Sequence, residues 1–133
     1  MNKIFLLELD KIQPSQLYLS KNKLNSTLKN FELKDLNSFE PIPIKILNQK
    51  YVATDGHHRA FILWQRGERK VRIEWEDEDL DWELYRICVK WCEEEGIFNI
   101  SDLKDRIIDN EEYEELWLNR CKNMHERVSK EEI

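Results

Sequence analysis

One short run of this chain carries most of its potential chemistry: Thr54-Asp55-Gly56-His57-His58-Arg59. It sets a carboxylate, two imidazoles and a guanidinium around a glycine. Tyr51 to Thr54 before it reads as a strand, and His58 to Arg66 reads as a helix. A glycine at such a junction lets the backbone turn sharply and lets a ligand approach the main chain. The free N–H groups at the start of the helix attract negative charge, and His57, His58 and Arg59 add donors at the same end. Asp55 can orient a histidine, hold a metal ion or take a proton. The run is therefore a candidate anion site, with Gly56, His58 and Arg59 as binding residues and Asp55, His57 and His58 as catalytic ones. A bland reading stands beside it: Asp55 caps the helix and the histidines are exposed in its first turn. Residue by residue that is the commoner case. Five polar residues in one turn, ahead of an otherwise apolar helix, favour a site.

Two other groupings invite chemistry less strongly. Cys88 and Cys92 lie four apart in one helical stretch, and Cys121 and His125 lie four apart in another. Packed antiparallel, the two helices would bring four soft ligands together, a set suited to zinc. Free cysteine is commonly a small core residue, though, and helical spacing is a weak metal signature, so no metal site is expected. The acidic run Glu74, Glu76, Asp77, Glu78, Asp79, Asp81 and Glu83 lacks the glycine and spacing of a calcium loop. It reads as a solvated linker leading into a helix N-terminus at Asp81.

The elements that must position the turn follow from periodicity. Phe5 to Leu9 reads as a first strand, and Pro14 turns the chain after it. Lys21 to Phe31 reads as a helix capped by Ser20, with Leu24, Leu28 and Phe31 on one face. Pro41 to Leu47 alternates as a strand, Asn48-Gln49 makes a tight turn, and Tyr51 to Thr54 pairs back. The helix from His58 to Arg66 is apolar nearly all round (Ala60, Phe61, Ile62, Leu63, Trp64) and is expected to be buried. Val71 to Trp75 alternates as another strand. From Asp81 to Glu95 the pattern is an amphipathic helix with Trp82, Tyr85, Cys88, Val89 and Cys92 near one stripe. A short helix opens at Ser101. A last one runs from Asn110 to about His125, with Tyr113, Leu116, Trp117 and Cys121 toward the core. The expected organisation is a small α+β unit over residues 1–80, a helical extension over 81–125 packed on it, and a charged, frayed tail over 126–133.

Composition limits the partners. The chain has 133 residues, 41% apolar and 36% charged, with five tryptophans. That length suits one domain. No apolar run approaches the roughly 20 residues that span a bilayer, and Glu8 interrupts the N-terminal apolar stretch too early for a signal peptide. A cytoplasmic protein with free thiols at Cys88, Cys92 and Cys121 is expected. Residues 1–80 hold 13 basic and 12 acidic side chains; residues 81–133 hold 8 and 15. An acidic C-terminal part repels a phosphate backbone, which argues against duplex DNA as the main partner and against a nuclease. Trp82 and Trp91 diverge on their helix, so a protein partner at the C-terminal helices is expected.

Several segments in order carry a family resemblance: Leu9-Asp10-Lys11-Ile12-Gln13-Pro14, Pro41-Ile42-Pro43-Ile44, Tyr51 to Ala60, and Gly67. Across about residues 4–76 the chain resembles the ParB/sulfiredoxin superfamily. The resemblance implies a small mixed sheet of ParB/sulfiredoxin type with a nucleotide's phosphates on the glycine turn, touched by His58 and Arg59. Partition proteins carry Gly-Glu-Arg-Arg there and bind a cytidine nucleotide. Sulfiredoxins carry Gly-Cys-His-Arg. ADP-dependent free-serine kinases carry Asp-Gly-His-His-Arg, which Asp55 to Arg59 match without change, implying ATP or ADP with Mg²⁺ as cofactor. The departures are informative. His57 stands where sulfiredoxins keep their nucleophilic cysteine, which excludes that repair chemistry. No helix-turn-helix or basic segment follows the motif. Gln16 stands where the serine kinases place a carboxylate base, so Glu40 or Asp55 must serve in its stead, or the chain does not phosphorylate serine. Residues 81–133 do not resemble the kinases' long C-terminal domain. Two readings remain open: a nucleotide-binding phosphotransferase or hydrolase, and a non-catalytic module that keeps the fold and binds a nucleotide as a switch.

Overall fold

The computed structural model describes residues 3–33 and 39–131. Seven strands are numbered in chain order: β1 (Ile4–Glu8), β2 (Ile12–Gln13), β3 (Leu19–Ser20), β4 (Ile42–Leu47), β5 (Lys50–Ala53), β6 (Lys70–Trp75) and β7 (Ile107–Ile108). The helices are α1 (Lys21–Leu33), α2 (His57–Gln65), α3 (Trp82–Glu94), α4 (Asn110–Tyr113) and α5 (Asn119–Glu131). A π-helical segment, Glu114–Leu118, joins α4 to α5, and short 3₁₀ turns occupy Leu9–Lys11 and Ile100–Asp105. The class is α+β around a mixed sheet.

That sheet has the order β1-β6-β4-β5-β2. β1 runs antiparallel to β6, β6 parallel to β4, β4 antiparallel to β5, and β5 parallel to β2. The hairpin between β4 and β5 turns on Asn48 and Gln49, both with positive φ (49° and 67°). A two-residue turn of that hand matches the right-handed twist of its strands. Alternation then sends β4 and β5 side chains to opposite faces. Ile42, Ile44 and Ala53 bury one face against Ala60 and Phe61 of α2. Leu47 and Val52 bury the other beneath Val89 of α3, with Trp82 and Tyr85 at the margin.

The C-terminal half is sewn to the first half by backbone-directed bonds. β3 and β7 pair in parallel as a two-stranded sheet. Gln13 Nε2 donates to Ile97 O at 2.9 Å, and Arg106 Nε donates to Leu17 O at 3.0 Å. The apolar core is continuous from Leu9 through Phe61 to Trp117 and Val128.

Most expected elements appear within a residue or two of their expected limits. Ser20 Oγ accepts from Lys23 N at 3.2 Å, as an N-cap should. Three expectations are corrected. Leu28 is 37% exposed although Phe31 on the same helix is buried. Leu116 is 41% exposed, because the wider π turn carries Tyr113 and Trp117 to the core in succession and leaves Leu116 outside. The frayed tail from 126 is instead helical to Glu131, with Val128 only 8% exposed against the core. Residues 132–133 of that tail lie outside the described residues. Trp82 and Trp91 are half-buried: Lys45 Nζ lies 4.8 Å over the Trp82 ring, and Trp91 meets Trp117 edge-on. Among the described residues, no helix is long and apolar enough to cross a membrane.

Candidate functional site

The turn between β5 and α2 is built as an open helix start. Gly56 takes the N-cap position with φ 77° and ψ 18°, and no side chain caps the helix. Asp55 does not cap it; it is exposed beside it, which corrects the bland reading of that residue. Ala60 N is the first to bond back, to Gly56 O at 2.9 Å. The N–H groups ahead of it have no partner within the helix, as at any helix start. A Cβ at Gly56 would come within 2.8 Å of Arg59 Nη2 and 3.0 Å of Ile42 Cδ1. Any other residue would be strained by the left-handed backbone and would push the end of Arg59 aside.

Arg59 folds back over this glycine. Its Nη2 donates to Pro41 O at 3.3 Å, and its Nε is buried without any hydrogen-bond partner. A buried charged donor without an acceptor is costly and rare. Beside it opens a shallow cavity of about 330 Å³, lined by Asn22, Lys23, Ser26 and Thr27 of α1 and by Asp55, Gly56, His58 and Arg59. Its floor is the start of α2 and its wall the first turns of α1. Lys23, Ser26 and Thr27 carry no mark in the sequence of belonging to this site. Only the packing of α1 against α2 brings them to the turn, so no local spacing could have marked them.

The two histidines are neither exposed nor cationic. His57 is 3% exposed, and its Nε2 accepts from Ser15 N at 3.0 Å. His58 is half-buried, and its Nε2 accepts from Ser20 N at 2.9 Å. Each ring is therefore neutral, with its proton on Nδ1. Burial, aided by the neighbouring His58 and Arg59, lowers His57 to about 4 against the opposing pull of Asp55. Burial and Lys23 lower His58 to about 4, again against Asp55. The bland reading that both are exposed in the first turn is corrected. They act as clamps, each pinning the start of α2 to a buried backbone N–H of the segment 15–20. Nε2 of neither can take a substrate's proton while that bond holds. His58 keeps its Nδ1–H as a donor and lines the cavity.

A second, larger cavity of about 440 Å³ lies on the other side of the turn. Thr54 and His57 form one wall, Gln16 another, and Tyr85, Cys88 and Trp117 the helical side. Gln16 is tied down: its Nε2 donates to Tyr18 O at 2.8 Å and to Tyr113 OH at 2.9 Å. Tyr113 is nearly fully buried, its ring meets His58 edge-on, and Lys23 Nζ lies 5.2 Å above it. The C-terminal helices thus buttress the turn through one tyrosine. Asp55 is the only carboxylate among the described residues lining either cavity. Glu40 lines a different one, with Leu6, Leu63 and Arg72.

No group of three or more metal-ligating side chains occurs among the described residues. Cys88, Cys92 and Cys121 are free thiols, as expected.

No protein-family model matches the chain. Its structure is similar to several solved ones. A protein of Agrobacterium tumefaciens superposes with a TM-score of 0.49 at 13% identity, over 74% of this chain and 51% of that one. A free serine kinase in complex with AMP gives 0.47 at 25% identity, over 59% and 32%. A conserved hypothetical protein from Pyrococcus furiosus gives 0.47 at 25% identity, over 59% and 34%. The chain thus spans between about a third and a half of the length of the solved structures it matches.

Proposed function

We propose that this chain binds the phosphates of a nucleotide, ADP or ATP with Mg²⁺, at the start of α2, and transfers or hydrolyses a phosphoryl group there. The observation that carries the reading is the buried, unpartnered Nε of Arg59 folded over Gly56. An unsatisfied donor of this kind costs about 1–3 kcal/mol or more. A small outward turn of the guanidinium toward a phosphate oxygen in the neighbouring cavity relieves that cost and gains a charge-assisted bond. Gly56 keeps the space that this arginine needs. Backbone N–H groups at an uncapped helix start complete an anion seat, and Lys23 and His58 line the same volume. The unchanged Asp-Gly-His-His-Arg string favours a nucleotide among anions.

The residues present suit Mg²⁺ bound mainly through phosphates. Asp55 is one carboxylate at the cavity's edge, and magnesium commonly takes one or two carboxylates, substrate phosphates and water. The ion would offset charge on the transferring group. Arg59 and Lys23 supply the fixed positive charge on the protein's side. His57 and His58 hold the helix start in place. Asp55 is the candidate base for an acceptor hydroxyl entering the same cavity.

One observation favours the second reading, a nucleotide-binding module without turnover. Gln16 is committed to Tyr18 O and Tyr113 OH, and amides do not take protons. Calorimetric titration with ATP, ADP and CTP, with and without Mg²⁺, tests the binding. Wild type should bind an adenine nucleotide saturably and Arg59→Ala should not. Phosphate release or transfer in the same samples separates the enzyme from the module. Absence of binding by every nucleotide would overturn both.

A further inference from the structure

Cys88 and Cys121 are the feature that the phosphate site leaves unused. They lie on different helices, α3 and α5, which pack against each other. The two helices run antiparallel as a ladder of contacts. Trp91 meets Trp117 edge-on at 6.2 Å between ring centroids, and Arg120 stacks 4.1 Å over Trp91. One turn further along, counting down α3 and up α5, come Cys88 and Cys121. Leu84 and Met124 follow. Cys88 and Cys121 both open onto the larger cavity.

We infer that Cys88 and Cys121 form a reversible dithiol–disulfide pair, oxidised by peroxides, that locks α3 to α5 along the wall of the larger cavity. Two thiols set in register on packed helices and opening onto one cavity are placed for side-chain rotation to join them by an S–S bond of about 2 Å. Their environments differ as such chemistry requires. The neighbouring Cys88 thiol and Arg120 lower Cys121 below the ordinary thiol range against the effect of its own burial, while Cys121 and burial push Cys88 up. Cys121 is only half-buried, so it is the nucleophile, and Cys88 is the resolving thiol. The Cys121 thiolate attacks one oxygen of hydrogen peroxide, giving a sulfenic acid and releasing hydroxide. The Cys88 sulfur then displaces that sulfenic hydroxyl. Two thiols and one peroxide become one disulfide and two waters, and a dithiol reductant reverses the change. Cys92 supplies an internal control. It is fully buried on the same helix, and burial and Glu95 push it up to about 12.

Hydrogen peroxide at a small molar excess over the purified full chain, followed by intact mass and peptide mapping, tests the pair. The expected product is two hydrogens lighter, monomeric, cross-linked between Cys88 and Cys121, and restored by dithiothreitol. Cys92→Ser should behave as wild type. Cys121→Ser should form no internal cross-link, and Cys88→Ser should stop at an oxygen adduct on Cys121. A wild-type product carrying only oxygen adducts, a cross-link through Cys92 or between two chains, or no change under peroxide would overturn the pairing. Because the readout is covalent, it is independent of whether a nucleotide binds.

Discussion

Arg59 and His57 sit two residues apart and do opposite things. Arg59→Ala should weaken adenine-nucleotide binding by about ten- to a hundredfold, the loss expected for one charge-assisted contact. Its melting temperature should stay close to wild type, since the residue satisfies only one weak bond to Pro41 O. His57→Ala should leave binding groups intact yet destabilise the fold by about 2–4 kcal/mol. It opens a void and strands the buried Ser15 N–H; thermal denaturation measures this. The histidines also set a pH window. Both stay neutral in the fold down to about 4, against an ordinary value of 6.5. Below 6.5 the unfolded chain therefore takes up protons that the folded chain refuses. Their contribution is fully present above pH 6.5 and drains away as pH falls toward 4, on the order of 3 kcal/mol for His57 alone. Denaturant midpoints at pH 7 and pH 4.5 should differ accordingly, and the difference should shrink in His57→Gln. Residue types and spacing were enough to single out the turn from Asp55 to Arg59 as unusual. They could not assign the histidines their roles, because the partners are backbone N–H groups some 40 positions away.

At the scale of the element, the start of α2 depends on one conformation. Gly56→Ala places a side chain at a positive φ and against the Arg59 guanidinium. It should cost about 1–2 kcal/mol of stability and lower nucleotide affinity by displacing Arg59. Those two effects, read by melting and by titration, should move together here and separately in Arg59→Ala. The longer strands and helices were legible from alternation and from 3.6-residue periodicity, each being a local property of its own segment. β2, β3 and β7 were not. Each is two residues long and exists only through pairing with distant chain. The π segment was not legible either, since a wider turn leaves no mark in apolar spacing beyond shifting it. Apolar spacing alone therefore points Leu116 to the core, whereas Met124 and Val128 occupy it.

For the whole molecule, the C-terminal helices matter to the turn because they hold it from behind. Tyr113 touches Gln16, His58 and Lys23, which belong to three different parts of the first 60 residues. Truncation after His125 removes Val128 from the core and should lower the melting temperature of the entire molecule in a single transition, not shed a loose tail. Charge and composition bear on the choice of partner, being sums over the chain. They could not reveal that the acidic half closes one side of a cavity against the motif.

The central claim is that a phosphate sits on the uncapped start of α2 beneath Arg59. Amide-resolved NMR during titration with ADP and Mg²⁺ tests it most directly. The account predicts progressive, saturable shifts of the Gly56, His57 and His58 backbone N–H signals and of the Arg59 Nε–H signal, the last moving as it gains its first acceptor. Shifts confined to other parts of the molecule, or none at saturating ADP, would contradict it.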